Sequence, residues 1–354
     1  MKTKTSGSPE TLGAAAVPGL PRLPKCLGEQ ASALKGKIHI DKKAVTYRGG
    51  LWLFRIFRMV LLIGISFLVL YPILQMLSMS FRPAEELHDA SVIWIPKRPT
   101  LENFRTAFVQ LEYLKTGLHV LKIALISTAI QLVICSITAY GLARFRFPGR
   151  NILFVLVVLT IIVPIQTVQI PMYVYYAYFD FFGLGKLAGL FAGTPLTVSI
   201  LNTEWVYYLP AMFGMGLRSG IYIFILRQFF MGLPKELENA AKIDGCNAFQ
   251  TFVRIMVPIT VPAFVTVFLL SMVAYWNDSV VTNTFNSLPT TRTFFQQLNA
   301  CISNVSVGAS DADWEAAQVW LNAAAVWIVL PMTLMYIFGQ RFFMECMDRS
   351  GIKE

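Results

Sequence analysis

Residues 233–262 read LPKELENAAKIDGCNAFQTFVRIMVPITVP, a polar, helix-forming stretch between two long apolar runs. Pro234 suits the first position of a helix, where its missing N–H costs nothing. Gly245 stands where a left-handed residue closes a helix C-terminus. Between them, residues 235–244 read as a short helix. Leu237, Ala240 and Ala241 fall at i, i+3 and i+4 and give it one narrow apolar face. Asn247 followed by Gln250 predicts a second helix N-terminus with reciprocal side-chain caps. A surface loop with two helical turns is the plain alternative. Against it, the capping chemistry describes a built element, and its small alanines let another protein's surface come close.

The flanks of that stretch decide the class. The chain has 354 residues, 55% hydrophobic and only 14% charged, with a mean hydropathy of +0.57. Soluble chains carry about a quarter of their residues charged, so this composition belongs in a bilayer. Six apolar runs near the ~20 residues of a membrane span cover 58–80, 118–142, 152–176, 208–230, 256–276 and 318–338. Pro164, Pro171, Pro262 and Pro331 fall inside or at the ends of these runs. They are expected to kink the spans without ending them. The expected fold is an all-α integral membrane protein of six transmembrane helices, with the 233–262 helix lying between the fourth and fifth.

Basic residues orient the chain. Arg144, Arg146 and Arg150 lie between the second and third runs, Lys235, Lys242 and Arg254 between the fourth and fifth, and Arg341, Arg349 and Lys353 after the sixth. The alternate connections are poorer, with only Lys186 in one and Arg292 against Asp278, Asp311, Asp313 and Glu315 in another. This puts the 233–262 stretch and both termini in the cytoplasm. Residues 1–50 are basic and rich in Gly, Pro and Ser, and read as an uncleaved, disordered cytoplasmic tail. Residues 51–354 form the membrane domain.

Several functions are excluded. The net charge of +10 is spread along the flanks of apolar runs, not gathered in a patch with aromatics, so no nucleic acid is expected as partner. The cysteines at 26, 135, 246, 301 and 346 have no paired spacing, which argues against a disulfide framework or metal site. There is no P-loop, GxSxG or HExxH. No catalytic residue is therefore expected, and any energy from ATP must arrive through a docked partner.

Residues 233–262 resemble the signature loop of ABC-importer permeases. That family carries Glu-Ala-Ala, a Gly four residues after the second Ala, and an apolar-Pro pair further on. Here these positions hold Asn239-Ala240-Ala241, Gly245 and Val257-Pro258. The PKELE run at 234–238 and Ile243-Asp244-Gly245 look like the carbohydrate-uptake branch, the maltose-type smaller permease subunit. Further similarity lies in AYGLAR at 139–144, FPGR at 147–150, RQFF at 227–230, WND at 276–278, QRFF at 340–343 and SGIK at 350–353. The resemblance covers about residues 51–354 and is poor across 185–206, which looks like extra outer-loop length. Asn239 stands where the family has Glu, so it offers hydrogen bonds but no ionic contact.

The resemblance implies the permease subunit of an ATP-driven importer, forming half of a path for a sugar or oligosaccharide. Implied partners are a second homologous permease subunit, two ATP-binding subunits holding ATP and Mg, an extracytoplasmic solute-binding protein, and the lipid of a bacterial or archaeal inner membrane. No cofactor or metal is expected on this chain itself. Glu236, Glu238, Asn239, Ala240, Ala241, Lys242, Asp244 and Gly245 would dock the ATPase, with Glu236, Glu238 and Lys242 setting register at the rim. Arg218 lies about 13 Å up the fourth helix from Arg227. An intramembrane Arg faces a bundle interior or wet cavity, so Arg218 either faces the path or, if the helix starts near Gly216, lies at the interface. Tyr222, Tyr275, Trp276 and Asn277 are further path candidates, against the alternative of aromatic membrane anchors. Rival readings are an importer for a polyamine or glycerol phosphate, and an ATP-independent secondary transporter. The latter calls for ionisable groups inside spans, which are few here.

Overall fold

A computed structural model describes residues 42–351 except 90, 193, 195 and 307–309. The chain divides into two compact units, one ending at Leu70 and one starting at Tyr71. The first contains most of α1 (Lys42–Ser80), which begins inside the stretch read as tail; residues 1–41 lie outside the described residues. From Phe54 to Leu70 every residue is exposed. From Met59 to Ser80 the helix carries no charged side chain, and a helix apolar all round suits a lipid or protein environment, not water.

The second unit runs through α2 (Glu102–Gln110), α3 (Tyr113–Arg144), α4 (Arg150–Ile162), α5 (Gln169–Ala177) and α6 (Leu184–Ala192). It continues with α7 (Trp205–Met212), α8 (Ser219–Gly232), α9 (Glu236–Ile243) and α10, which starts at Ala248 and runs to Ile259. The rest is α11 (Val261–Trp276), α12 (Val280–Phe285), α13 (Phe294–Ser306) and α14 (Asp311–Gly351). Among the described residues there is no β-strand, only one antiparallel bridge between Phe179 and Val198.

The central rod is α3, which packs along α7, α8 and α11, while α11 also packs on α14. Its buried residues include Ser127, Thr128, Gln131, Cys135, Ser136 and Ala139, whereas Leu118, Leu125, Val133 and Ile137 are exposed. That inversion is what a bilayer dictates. Lipid satisfies the large apolar side chains, so small and polar ones make the helix contacts.

Among the described residues, three helices are long and apolar enough to cross a membrane: Phe54–Ser80, Tyr113–Arg144 and Asp313–Phe342. A fourth crossing arises if Ala248–Ile259 and Val261–Trp276, bent by 81°, are taken together. The other two predicted runs are interrupted. The third stops at Ile162, because Pro164 holds Val163 extended, as a proline does to its predecessor. The chain then turns through Ile165–Thr167 before α5. Pro164 therefore ends a helix that it was expected only to kink, whereas Pro331 sits inside α14 without ending it. The fourth run breaks between Met212 and Ser219, where Gly214 and Arg218 take φ of +69° and +58°.

Candidate functional site

Residues 245–250 of the 233–262 loop are built as their capping chemistry dictates, while its first helix starts at Glu236, so Pro234 precedes it and does not occupy its first position. Leu233 is extended (ψ 143°) and turns the chain out of α8. α9 then runs from Glu236 to Ile243, and Gly245 follows at φ +80°. The Gly245 N–H donates to the Lys242 carbonyl at 3.1 Å and the Cys246 N–H to the Ala241 carbonyl at 2.9 Å. These paired bonds satisfy the last carbonyls of a helix closed by a left-handed residue. A Cβ at 245 would meet nothing within 4 Å, so backbone conformation alone asks for glycine there. Asn247 Oδ1 accepts from the Gln250 N–H at 2.8 Å, and Gln250 Oε1 accepts from the Asn247 N–H at 2.9 Å, which is the predicted reciprocal cap.

The docking candidates divide between two faces of α9. Glu236, Asn239, Ala240 and Ile243, spaced i, i+3, i+4 and i+7, form an open stripe, with Lys242, Asp244 and Gly245 also exposed. Ile243 is 87% exposed and Phe249, beyond the second cap, 68%. Sequence reasoning missed both, although the spacing from Glu236 to Ile243 carried the signal. Ala241 is buried instead.

Glu238 does not stand at a rim as expected. Its Oε1 lies 3.1 Å from Nε of Arg144, a pair with side chains only 16% and 5% exposed. The contact is an ion pair, not an aligned hydrogen bond. Arg144 Nη2 donates to the Leu233 carbonyl at 2.7 Å. The last residue of α3 thus holds both the start of the loop and the first turn of α9.

Past Thr251 the helix widens into a π-helical turn, Phe252–Met256, and regains α geometry over Val257–Ile259. It then bends by 81° into α11. Pro258 and Pro262, which bring no N–H, and the π-turn are recognised causes of such a bend. The Thr260 hydroxyl donates to the Met256 carbonyl at 2.8 Å and steadies the corner. Phe252 anchors it inward, with its ring 5.0 Å from that of Tyr140.

The break in the fourth run is the second feature. α8 begins after Arg218, which is exposed; the arginine stands at the break and not within a helix. Beside it Gln131 is fully buried. Gln131 Nε2 donates to the Leu217 carbonyl at 2.8 Å and to Ser219 Oγ at 2.7 Å. Its Oε1 accepts from Ser271 Oγ at 3.1 Å, and Ser271 pairs with Thr128 at 3.1 Å. Gln131 of α3 thereby satisfies the Leu217 carbonyl, which the interrupted helix frees, and Ser271 of α11 holds Gln131 in place. Sequence reasoning also missed Gln131, Thr128, Ser219 and Ser271; an amide inside an apolar run was the available signal.

Tyr222 and Tyr275 are 1% and 3% exposed, close to this break. A Cβ on Gly216 would lie 2.6 Å from the Tyr275 hydroxyl oxygen, so only glycine lets the loop cross there. Trp276 is buried, donates Nε1–H to the Ile328 carbonyl at 3.0 Å and packs on Phe294 at 5.4 Å. It joins α11 to α14. Asn277 is exposed just past α11. Asp278, buried, accepts from the N–H groups of Val281 and Thr282 at 3.2 and 2.9 Å and from the Tyr207 hydroxyl at 3.0 Å. It caps α12.

Glu204, ahead of α7, accepts from Lys122 Nζ at 2.9 Å and from the Tyr208 hydroxyl at 2.8 Å, with His119 3.5 Å away. Burial raises its carboxyl, but the bonds from Lys122 and Tyr208 outweigh burial and hold it below the ordinary range. Among the described residues, no three His, Cys, Asp or Glu side chains are grouped to hold a metal.

Comparison with known proteins places these features in context. The family model described as "Binding-protein-dependent transport system inner membrane component" matches residues 131–344, more than half of the chain. ORF2 of Caldicellulosiruptor sp. (strain Rt8B.4), named as an ABC transporter permease protein, is 31% identical over 288 residues, covering 80% of this chain and 91% of ORF2. The arabinooligosaccharides transport system permease protein AraQ of Halalkalibacterium halodurans is 27% identical, covering 82% and 93%. The galactooligosaccharides transport system permease protein GanQ of Bacillus subtilis is 25% identical, covering 84% and 95%. In fold, the chain is similar to a chain from the crystal structure of a bacterial ABC transporter involved in the import of the acidic polysaccharide alginate. The TM-score is 0.61 at 18% identity, with 82% of this chain and 96% of the other covered.

Proposed function

We propose that this chain, which belongs to the family of binding-protein-dependent transport system inner membrane components, is one permease subunit of an ATP-driven importer and forms half of the path for a sugar or oligosaccharide. The observation that carries this reading is α9: a helix capped at its C-terminus, held to the body on one face and open on the other, in a chain without a P-loop. Such a helix lies in a groove of an ATP-binding subunit on the cytoplasmic side. Closure of two such subunits on ATP and Mg pushes it, and the spans swing between inward-open and outward-open states. Differential contacts in the two states are sufficient for that.

The open stripe supports Glu236, Asn239, Ala240 and Ile243, with Lys242, Asp244, Gly245 and Phe249, as the docking surface. With Asn at 239, contact there rests on hydrogen bonding and apolar burial. Counting the two interrupted runs as broken spans gives six crossings, with both termini cytoplasmic. Interrupted helices line substrate sites in transporters. Arg218, exposed at the break, is therefore the leading path residue, offering a guanidinium to a polyhydroxylated solute, with Tyr222 and Tyr275 buried near the same break. Trp276 already uses its one donor. A sugar cargo is supported by the arabino- and galactooligosaccharide names of the relatives. A second permease subunit and an extracytoplasmic binding protein complete the importer.

The test is reconstitution with those partners, followed by oligosaccharide uptake with and without ATP. Uptake requiring ATP and the binding protein is expected. Uptake driven by an ion gradient with no ATPase bound would overturn the proposal.

A further inference from the structure

The last residue of α3 meets the first turn of α9 at one enclosed ion pair. We infer that Arg144 and Glu238 form the strut that carries displacement of α9 into α3, with Arg144 as the positioning residue. The inference rests on the reading of α9 as the docking helix.

Neither covalent route from α9 continues as one straight helix. Toward α8 the chain passes through extended Leu233 and through Pro234, which has no N–H to donate. Toward α11 it passes through a π-turn and an 81° bend. α3, by contrast, is one unbroken helix of 32 residues, about 48 Å long at 1.5 Å per residue.

Arg144 ends that rod and reaches both α9 and the chain leading into it. Its Nε lies 3.1 Å from Glu238 Oε1, and its Nη2 donates to the Leu233 carbonyl at 2.7 Å. The guanidinium also sits favourably at the negative end of the α3 dipole. Both side chains are largely shielded from water, so separating the charges would strand one of them in a poor solvent. The two elements therefore move together. Further along α3, Gln131 grips Leu217 and Ser219 at the break in the fourth run. One rod thus connects the docking helix to the segment assigned to the substrate path.

The experiment uses the complete importer in proteoliposomes. It compares wild type with Glu238→Gln, Arg144→Gln and the exchanged pair Arg144→Glu with Glu238→Arg. Three quantities are read: ATPase assembly, ATP hydrolysis, and substrate taken up per ATP. For Glu238→Gln, assembly and hydrolysis are expected to persist while uptake per ATP falls on the order of tenfold, the usual scale of coupling between sites. The exchanged pair is expected to recover only the part of the loss that the ion pair carries, since a carboxylate at 144 cannot donate to the Leu233 carbonyl and is disfavoured at a helix C-terminus. Unchanged uptake per ATP in Glu238→Gln overturns the strut, as does loss of assembly in that variant. Glu238→Gln carries the decision if Arg144→Gln does not fold. Wild type without ATP-dependent uptake would instead sink the importer reading, a result distinct from all of these.

Discussion

Ile243 offers the sharpest test of the docking surface. It is 87% exposed at the end of the open stripe of α9, with Phe249 68% exposed beyond Gly245. Truncating either removes almost no packing within the chain, so permease stability should not move. Fully burying such a side chain against a partner contributes about 1.5–3 kcal/mol. Scaled by its open fraction, Ile243 would contribute about 1.3–2.6 kcal/mol, or about 10- to 70-fold in the affinity of the ATPase subunit. Costs of association fall equally on wild type and variant and cancel in that ratio. The assay titrates ATPase subunit onto the permease pair in nanodiscs, for wild type, Ile243→Ala and Ile243→Ala with Phe249→Ala, with the thermal midpoint of each permease as control. A change under twofold in the double variant, with folding intact, would refute α9 as the docking element.

Two further outcomes follow from the polar contacts. Gln131→Leu removes the partner of the Leu217 carbonyl and of the Ser219 hydroxyl, while Ser271 keeps Thr128, at about 1–3 kcal/mol for each buried group left unsatisfied. A clear drop in thermal midpoint in detergent is expected; an unchanged midpoint would mean that the break is not pinned by this residue. Glu204 has a carboxyl held below its ordinary range. Its stabilisation is therefore present above about pH 4.3, the unfolded value, and is lost as pH falls through the folded value. Wild type should be more stable than Glu204→Gln at pH 7 and converge with it toward pH 3, as read by thermal melts across that range. A constant gap would refute the Lys122 and Tyr208 pairing.

Much of the 233–262 loop was legible because it is made of local interactions. Pro234, Gly245, Asn247 and Gln250 act on backbone groups within a few residues of themselves, so their spacing predicted a helix, its left-handed terminus and the reciprocal cap. Which face of α9 looks outward was not legible. Glu238 and Glu236 are chemically identical, and only the arrival of Arg144 from 94 positions earlier in the chain turns one inward.

By itself, the sequence determined the class, the apolar runs and the capped helix, since hydropathy, charge asymmetry and capping depend on composition and near neighbours. Tertiary structure decided the rest. Pro164 ends a helix and Pro331 sits inside one, a difference that the presence of proline alone does not encode. Arg218 stands outside a helix because the backbone at the break is satisfied by Gln131, which belongs to another span. The exposed stripe of α9 ending at Ile243 emerged once Ala241 and Glu238 were committed to the body. Contacts between residues far apart in sequence set these outcomes, and no local pattern encodes them.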